Sequence, residues 1–406
     1  MKALVLCGGI PQIALIKELK RRGIYTILAD MNPNVVARSF ADNFFPISVL
    51  DSKAVKKLAE DEKVDIVITA CADQVLLVQT QVSEALGLHC YLDYQTAKDV
   101  SSKERMKSIF VQNGIPTSKY VIMNRFNEAA VKELVYPIIV KPVDSYSSRG
   151  VRKVQNIDEF RAAFETAIGI SRTKTAIAEE FVEGEELTVD AYIEGGTAHI
   201  LCVSNIDKIP GNDRFVICRT RYPAQISDEV MAKVETVAGQ IARAFKLKNS
   251  PMLIQMITDG EQVKVVEFCA RTGGGDKFRL IEQVSHFDVI KAVVDLTLGQ
   301  TPHVTPYQFR GCIVNEFLYA EPGIFDHLEG FEEMKRQGVI SEYYQLKAKG
   351  TEIHEVRNSG DRVVYYSIQA TSMDEAREKD RKANAALKIV DSEGRDVLFH
   401  HLIADY

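Results

Sequence analysis

The seven cysteines of this sequence include no CxxC pair, and they are scattered and odd in number. That argues against a disulfide framework and predicts reduced thiols in a cytoplasmic protein. No hydrophobic run is long enough to span a bilayer, so no membrane partner is expected. The apolar start of MKALVLCGGIPQ is short, breaks at Gly8-Gly9 and Pro11, and lacks a cleavage region; it reads as a first strand, not a leader. Basic residues are not in excess: 50 Lys and Arg against 56 Asp and Glu leave a net charge of −6. This argues against generic nucleic-acid binding and still permits a local basic pocket. There is no GxGxxG, no GxxxxGK[ST], no Ser-His-Asp or Cys-His arrangement, no internal repeat and no low-complexity tract. His400 and His401 have no Cys or carboxylate at zinc spacing, so packing or surface roles suit them better than metal.

What remains is a chain of 406 residues, 46% hydrophobic and 26% charged. It describes a soluble globular protein too long for one core, with two to four domains expected. Over roughly the first hundred residues strands alternate with helices. Residues 3–7, 25–29 and 65–70 read as strands; helices open at Pro11, Ser52 and Asp73. The expected unit is a small parallel α/β lobe. Gly8-Gly9 and Asp30 invite a dinucleotide reading, hence a nicotinamide-dependent oxidoreductase, although the GxGxxG spacing is missing.

The stretch PIIVKPVDSYSSRGV, residues 137–151, carries the strongest local chemistry. A buried strand delivers Lys141, Pro142 stops regular pairing, and Ser145, Ser147, Ser148, Arg149 and Gly150 form a small-residue loop. Such a loop lets backbone N–H groups approach an anion, and Lys141 adds a point charge. The same residues also fit a Ser-rich hairpin with a surface lysine. Upstream, Ser101 and Glu104 form an S-x-x-E capping box for a helix running to about residue 113. Lys103 lies in its first turn beside the apolar face, where it either snorkels or meets an anion.

Residues 176–182 read as a strand that turns at Glu183-Gly184. The returning strand places Glu186, Thr188, Asp190 and Tyr192 on one face. Those carboxylates need hydrogen-bond donors; an exposed acidic hairpin is the alternative. Residues 207–224 look irregular and basic, with Lys208, Arg214, Arg219 and Arg221 meeting an anionic substrate or solvent. A hairpin at Asp259-Gly260 joins residues 252–258 to 262–269; it carries Glu267, and Arg271 and Gly273-Gly274-Gly275 follow. Three glycines suggest close backbone approach to a ligand. Residues 301–307 look like a boundary before an α+β lobe.

In order, these pieces resemble the ATP-grasp superfamily, within it the carboxylate–amine ligases and particularly the L-amino-acid ligase-like group. The resemblance covers nearly the whole chain. It implies a Rossmann-like lobe (1–100), a two-lobed ATP-grasp module (101–300, small lobe about 115–182) and a C-terminal α+β domain (301–406) that completes the large lobe. Lys103 and Lys141 are similar to the lysines that hold ATP phosphates. Ser145, Ser147, Ser148, Arg149 and Gly150 match the loop over the γ-phosphate. Glu179, Glu180, Phe181 and Val182 match the adenine hinge, and Glu186 the ribose contact. Glu267 and Gln255 match magnesium ligands, and Arg271, with Lys141, the catalytic cations. Arg219, Arg221, Gly273, Gly274, Gly275 and Asp276 are implied on the substrate side. The implied activity is ATP-dependent joining of a carboxylate to an amine through an acyl phosphate, with Mg²⁺, amino-acid-like substrates and a homodimer. Two departures stand out. Gln255 replaces a usual carboxylate, and Cys269 a usual asparagine. A nucleotide-binding protein with little turnover is therefore a further reading.

Overall fold

The computed structural model describes residues 1–145, 149–210, 215–307 and 309–402. The N-terminal strands β1 (Lys2–Leu6), β2 (Tyr25–Ala29), β3 (Asn43–Phe45) and β4 (Ile66–Ile68) form a parallel sheet in the order β3-β2-β1-β4. The last four residues of β1, and of β2, are buried, as expected for strands covered on both faces. The nicotinamide reading fails on the residues that suggested it. Asp30 accepts from the Gly8 and Asn32 N–H groups, both at 2.9 Å. A Cβ on Gly8 would lie 2.2 Å from Val35, so the glycine serves internal packing.

A second sheet is antiparallel: β5 (Tyr120–Met123), β6 (Ile138–Pro142), β7 (Arg152–Val154) and β8 (Ala176–Glu180), in the order β5-β8-β6-β7. Ile138, Val140, Ala176 and Ala178 face Phe160 and Phe164 of the helix Ile157–Ile170. Asn156 caps that helix, accepting from the Glu159 N–H.

Among the described residues, the large sheet has eight strands. Five are β9 (Glu185–Glu194), β10 (Thr197–Lys208), β11 (Ile217–Tyr222), β12 (Ser250–Thr258) and β13 (Val263–Cys269). Beyond them lie β14 (Cys312–Leu318), β15 (Gly323–Glu329), β16 (Glu342–Gln345), β17 (Glu352–Ile353), β18 (Val364–Ala370) and β19 (Lys388–Asp391). The order β13-β12-β9-β10-β11-β14-β18-β16 makes β14, β18 and β16 extend the same sheet, while β17-β15-β19 form a small one. Apolar residues of β9 and β12 pack against Val230, Val234, Val237 and Ile241 of the helix Asp228–Ala244. Phe110, Phe245 and Phe268 lock the helix Lys103–Gln112 to this core, with centroids 4.5 to 5.9 Å apart. Each such pair adds about 1 kcal/mol beyond burial.

Three sequence expectations change. Ser102, not Ser101, caps the Lys103 helix, because Ser101 ends a separate helix, Tyr94–Ser101. The segment read as irregular contains β11, paired with β10 and β14; its Ile-Cys-Arg-Thr-Arg-Tyr alternation places the arginines on one face. Residues 339–346, whose apolar and aromatic content reads as one strand, pair only over β16.

Candidate functional site

Sheets β5–β8 and β9–β13 face each other across a cleft lined by Lys103, Lys141, Glu179, Glu186, Gln255 and Glu267, among others. Antiparallel pairing puts Gln255 opposite both Glu267 and Thr188, so these three side chains share one row on the sheet face. Lys103 enters from its helix start; its Nζ lies 2.9 Å from the Ser145 carbonyl and 3.3 Å from Glu267 Oε2. It thus joins the small-residue loop to the β13 carboxylate. Ser147 and Ser148 of that loop, and the Arg214 named with the basic segment, lie outside the described residues. Arg149 is exposed on the loop and Gly150 follows it.

Lys141 is buried at the end of β6, with its Nζ 2.5 Å from Glu179 Oε2. The other carboxylate oxygen lies 2.6 Å from Lys107. Burial alone would raise the Glu179 carboxyl; Lys107 and Lys141 overcome it and hold the group at about 2. Burial pushes the Lys107 ammonium below its ordinary value, against the pull of Glu179. Lys107 also donates to Thr117 Oγ1 at 2.6 Å. Sequence reasoning missed Lys107; its signal was the i,i+4 spacing from Lys103, which puts both on one helix face. The Glu179 carboxylate is thereby committed to two lysines, not to an outside amine.

The chain leaving β8 bonds to its neighbours in a particular way. Phe181 N–H donates to the Pro137 carbonyl at 2.9 Å, and Glu180 N–H to the Lys119 carbonyl at 2.9 Å. The Glu180 side chain accepts from the Val135 N–H at 3.1 Å. Among the described residues, neither the Glu180 carbonyl nor the Val182 N–H bonds to another group of the chain. Both residues line the cleft. They offer one acceptor and one donor, two residues apart.

The acidic face of β9 is answered by lysines. Glu186 makes a close ion pair with Lys208, which also lines the cleft. Asp190 lies 3.3 Å from Lys277, whose ammonium donates to Thr188 Oγ1 at 2.8 Å and Ser204 Oγ at 2.6 Å. Burial raises the Asp190 carboxyl, opposed by Lys277 and Arg271. A Cβ on Gly273 would stand 2.8 Å from Lys277 Cγ, so this glycine admits the lysine. Arg271 donates to the Thr272 carbonyl at 2.6 Å and sits beside Asp190.

Other substrate-side residues lie apart from the cleft lining. Arg219 is buried, pairs closely with Glu316, and lies 3.4 Å from Asp207. Arg221 reaches the same Asp207 at 2.9 Å. Both charges answer carboxylates of their own chain. Asp276 pairs with Arg279 at 2.7 Å, and burial pushes its carboxyl up to about 6 despite Tyr365 and Arg279. Gly274 has nothing within 4 Å of an added Cβ, and Gly275 lies near Arg362. Cys269 is buried. Among the described residues, no group of three His, Cys, Asp or Glu side chains is arranged as a metal cage, and no helix is long and apolar enough to cross a membrane.

Comparison with known proteins identifies the family. Residues 134–278 match the model of the ATP-grasp domain, and residues 316–391 that of the L-amino acid ligase C-terminal domain 2. The chain is 34% identical over 309 residues to a formate-dependent phosphoribosylglycinamide formyltransferase of Shewanella frigidimarina, covering 74% of this chain and 76% of that protein. It is 22% identical over 273 residues to an L-arginine-specific L-amino acid ligase of Bacillus subtilis, covering 66% of each. The crystal structure of an L-amino acid ligase from Bacillus licheniformis superposes with a TM-score of 0.81 at 20% identity, covering 96% of this chain and 98% of that one. The chain belongs to the ATP-grasp family of ATP-dependent carboxylate–amine ligases, which form C–N bonds.

Proposed function

We propose that this cleft activates a substrate carboxylate as its acyl phosphate and passes the acyl group to an amine, releasing ADP and phosphate. The observation that carries this reading is the meeting of Lys103, Lys141, Gln255 and Glu267 on the walls of one cleft, beside two exposed backbone hydrogen-bonding groups. The substrate carboxylate oxygen attacks the γ-phosphorus; the bond to the β–γ bridging oxygen breaks, and ADP leaves. The amine then attacks the acyl carbon, and inorganic phosphate departs with its electron pair. Neither step needs a protein nucleophile. Both need charge neutralisation and alignment, which lysines and an arginine supply.

In this reading the Glu180 carbonyl and Val182 N–H receive the adenine edge, and Glu186 faces the ribose. Lys103 and Lys141 hold phosphate oxygens, and Arg271 steadies the transferred phosphoryl group. Glu267 and Gln255 fit one Mg²⁺: both offer oxygen donors to a hard cation, and they stand opposite each other in the ladder. Magnesium there would neutralise charge on the phosphates. The set does not extend to a second ion as readily, since Gln255 brings no charge and the buried Cys269 thiol suits a hard cation poorly. The substrates are taken to be amino-acid-like, in line with the C-terminal domain match. The implied homodimer is checked by light scattering on the purified chain.

The test is ADP formation from Mg-ATP with a panel of amino-acid pairs. At least one pair should release ADP and yield an amide, and Lys141→Ala should abolish both. ADP binding without release for any carboxylate–amine pair would return the chain to a binding-only role.

A further inference from the structure

Behind Lys141 stands a second, buried lysine. Lys103 and Lys107 lie one turn apart on the same face of the helix Lys103–Gln112. Lys103 lines the cleft, whereas Lys107 has 2% of its side chain exposed and meets no ligand directly. Its Nζ lies 2.6 Å from both Glu179 Oε1 and Thr117 Oγ1, with Ser118 Oγ at 3.4 Å and the Val265 carbonyl at 3.5 Å. Thr117 spends its own proton on the Val265 carbonyl, and Ser118 directs its proton to Glu179 Oε1. Every one of these neighbours accepts from the nitrogen and none donates to it, which is the surrounding of an ammonium and not of a neutral amine.

The other oxygen of the same carboxylate, Glu179 Oε2, lies 2.5 Å from Lys141 Nζ. Although burial opposes it, Lys107 and Lys141 hold the Glu179 carboxyl at about 2, so the carboxylate is ionised at neutral pH. Two ammoniums around one carboxylate sum to a single net positive charge. Of the two cations, only Lys141 lines the cleft. Among the described residues it has no acceptor besides Glu179. An ammonium carries three donors, so Lys141 keeps donors for a ligand. Without Lys107, Lys141 and Glu179 would form a neutral pair. A phosphate oxygen on Lys141 would then face the carboxylate charge behind it with nothing to offset it, in a site too dry to screen it.

We propose that Lys107 is a positioning residue for phosphate binding: it takes one oxygen of Glu179 and offsets its charge, so that Lys141, held on the other oxygen, presents a net positive charge to the nucleotide phosphates. This rests on the reading above in which Lys141 holds a phosphate, and it assigns the residue that makes Lys141 able to do so.

The test measures, by calorimetry on the full chain, the affinity for Mg²⁺ with the non-hydrolysable analogue AMP-PNP; far-UV circular dichroism checks folding. Lys107→Met should bind AMP-PNP about 10- to 100-fold more weakly than wild type. Its affinity for adenosine, which has no phosphate, should be unchanged. Lys107→Met combined with Glu179→Gln removes one positive and one negative charge together and should recover AMP-PNP affinity to within about 5-fold of wild type. A merely structural role for Lys107 would give no such rescue. The proposal is overturned if Lys107→Met binds AMP-PNP as wild type does, if it loses adenosine equally, or if the double variant binds no better than Lys107→Met. Should Lys107→Met not fold, the double variant decides alone: AMP-PNP affinity near wild type supports the proposal, and weak affinity or an unfolded chain overturns it.

Lys141→Ala separates the two readings. If it weakens AMP-PNP and Lys107→Met does not, this proposal falls alone. If it leaves AMP-PNP affinity unchanged, the phosphate assignment falls and this proposal with it. The rescue observed without ADP release from any amino-acid pair overturns the ligase reading alone.

Discussion

The mouth of the N-terminal sheet and the cleft between the two antiparallel sheets offer similar residue types: glycine, an acid and nearby loops. They differ in where the hydrogen bonds go. At the mouth, Asp30 is spent on Gly8 and Asn32, and Val35 fills the space a ligand would need. In the cleft, Lys103 bridges a carbonyl and a carboxylate, Lys141 shares one carboxylate with Lys107, and two backbone groups face open space. A motif residue binds a ligand when the fold orients it without consuming it. Arg219 repeats the lesson, since it is closed off by Glu316 and Asp207.

The comparison breaks most visibly at Lys141. Lys141→Ala should lower ADP formation by about 10³-fold, the scale expected when a group stabilising transferred charge is removed; steady-state kinetics reads this out. Next is stability at the shared carboxylate. Glu179→Gln leaves the buried Lys107 without its counter-ion and should cost about 3–5 kcal/mol in urea unfolding. In wild type Glu179 is held at about 2, below its unfolded value. Its contribution is therefore present above the unfolded pKa and is lost as pH falls from about 4.5 toward 2.

Arg219→Met should cost up to a similar ~3 kcal/mol through the stranded Glu316, yet leave ADP affinity unchanged; a large loss of nucleotide binding would break the contrast. Gly8→Ala should destabilise by roughly 1–3 kcal/mol through the Val35 clash, again without touching ADP affinity. The smallest effect belongs to Asp276, whose carboxyl is raised to about 6. Its favourable share is complete below the unfolded pKa and is lost as pH rises through about 6. Asp276→Asn should therefore gain on the order of 1 kcal/mol relative to wild type at pH 8 and nothing at pH 3.5, seen in Tm against pH.

Much of the fold was legible because its elements carry local signals: the β1 and β2 apolar runs and the Asp259-Gly260 turn. β11 was not legible, since a basic strand reads as a loop until a neighbour's carboxylates, here Asp207 and Glu316, neutralise it. β15, β17 and β19 were missed because short, mixed-polarity strands owe their pairing to long-range partners. In the cleft, the order of lysines and hairpins identified the walls. Lys277 became a functional candidate only through a contact across a sequence distance that no spacing rule reports.

The central claim, that one triphosphate is gripped between the two antiparallel sheets, is tested most directly by a crystal structure with Mg-ADP. The account predicts adenine against the Glu180 carbonyl and Val182 N–H, with phosphates at Lys103 and Lys141. Nucleotide at the Gly8-Gly9 turn, or none bound at saturating concentration, would contradict it.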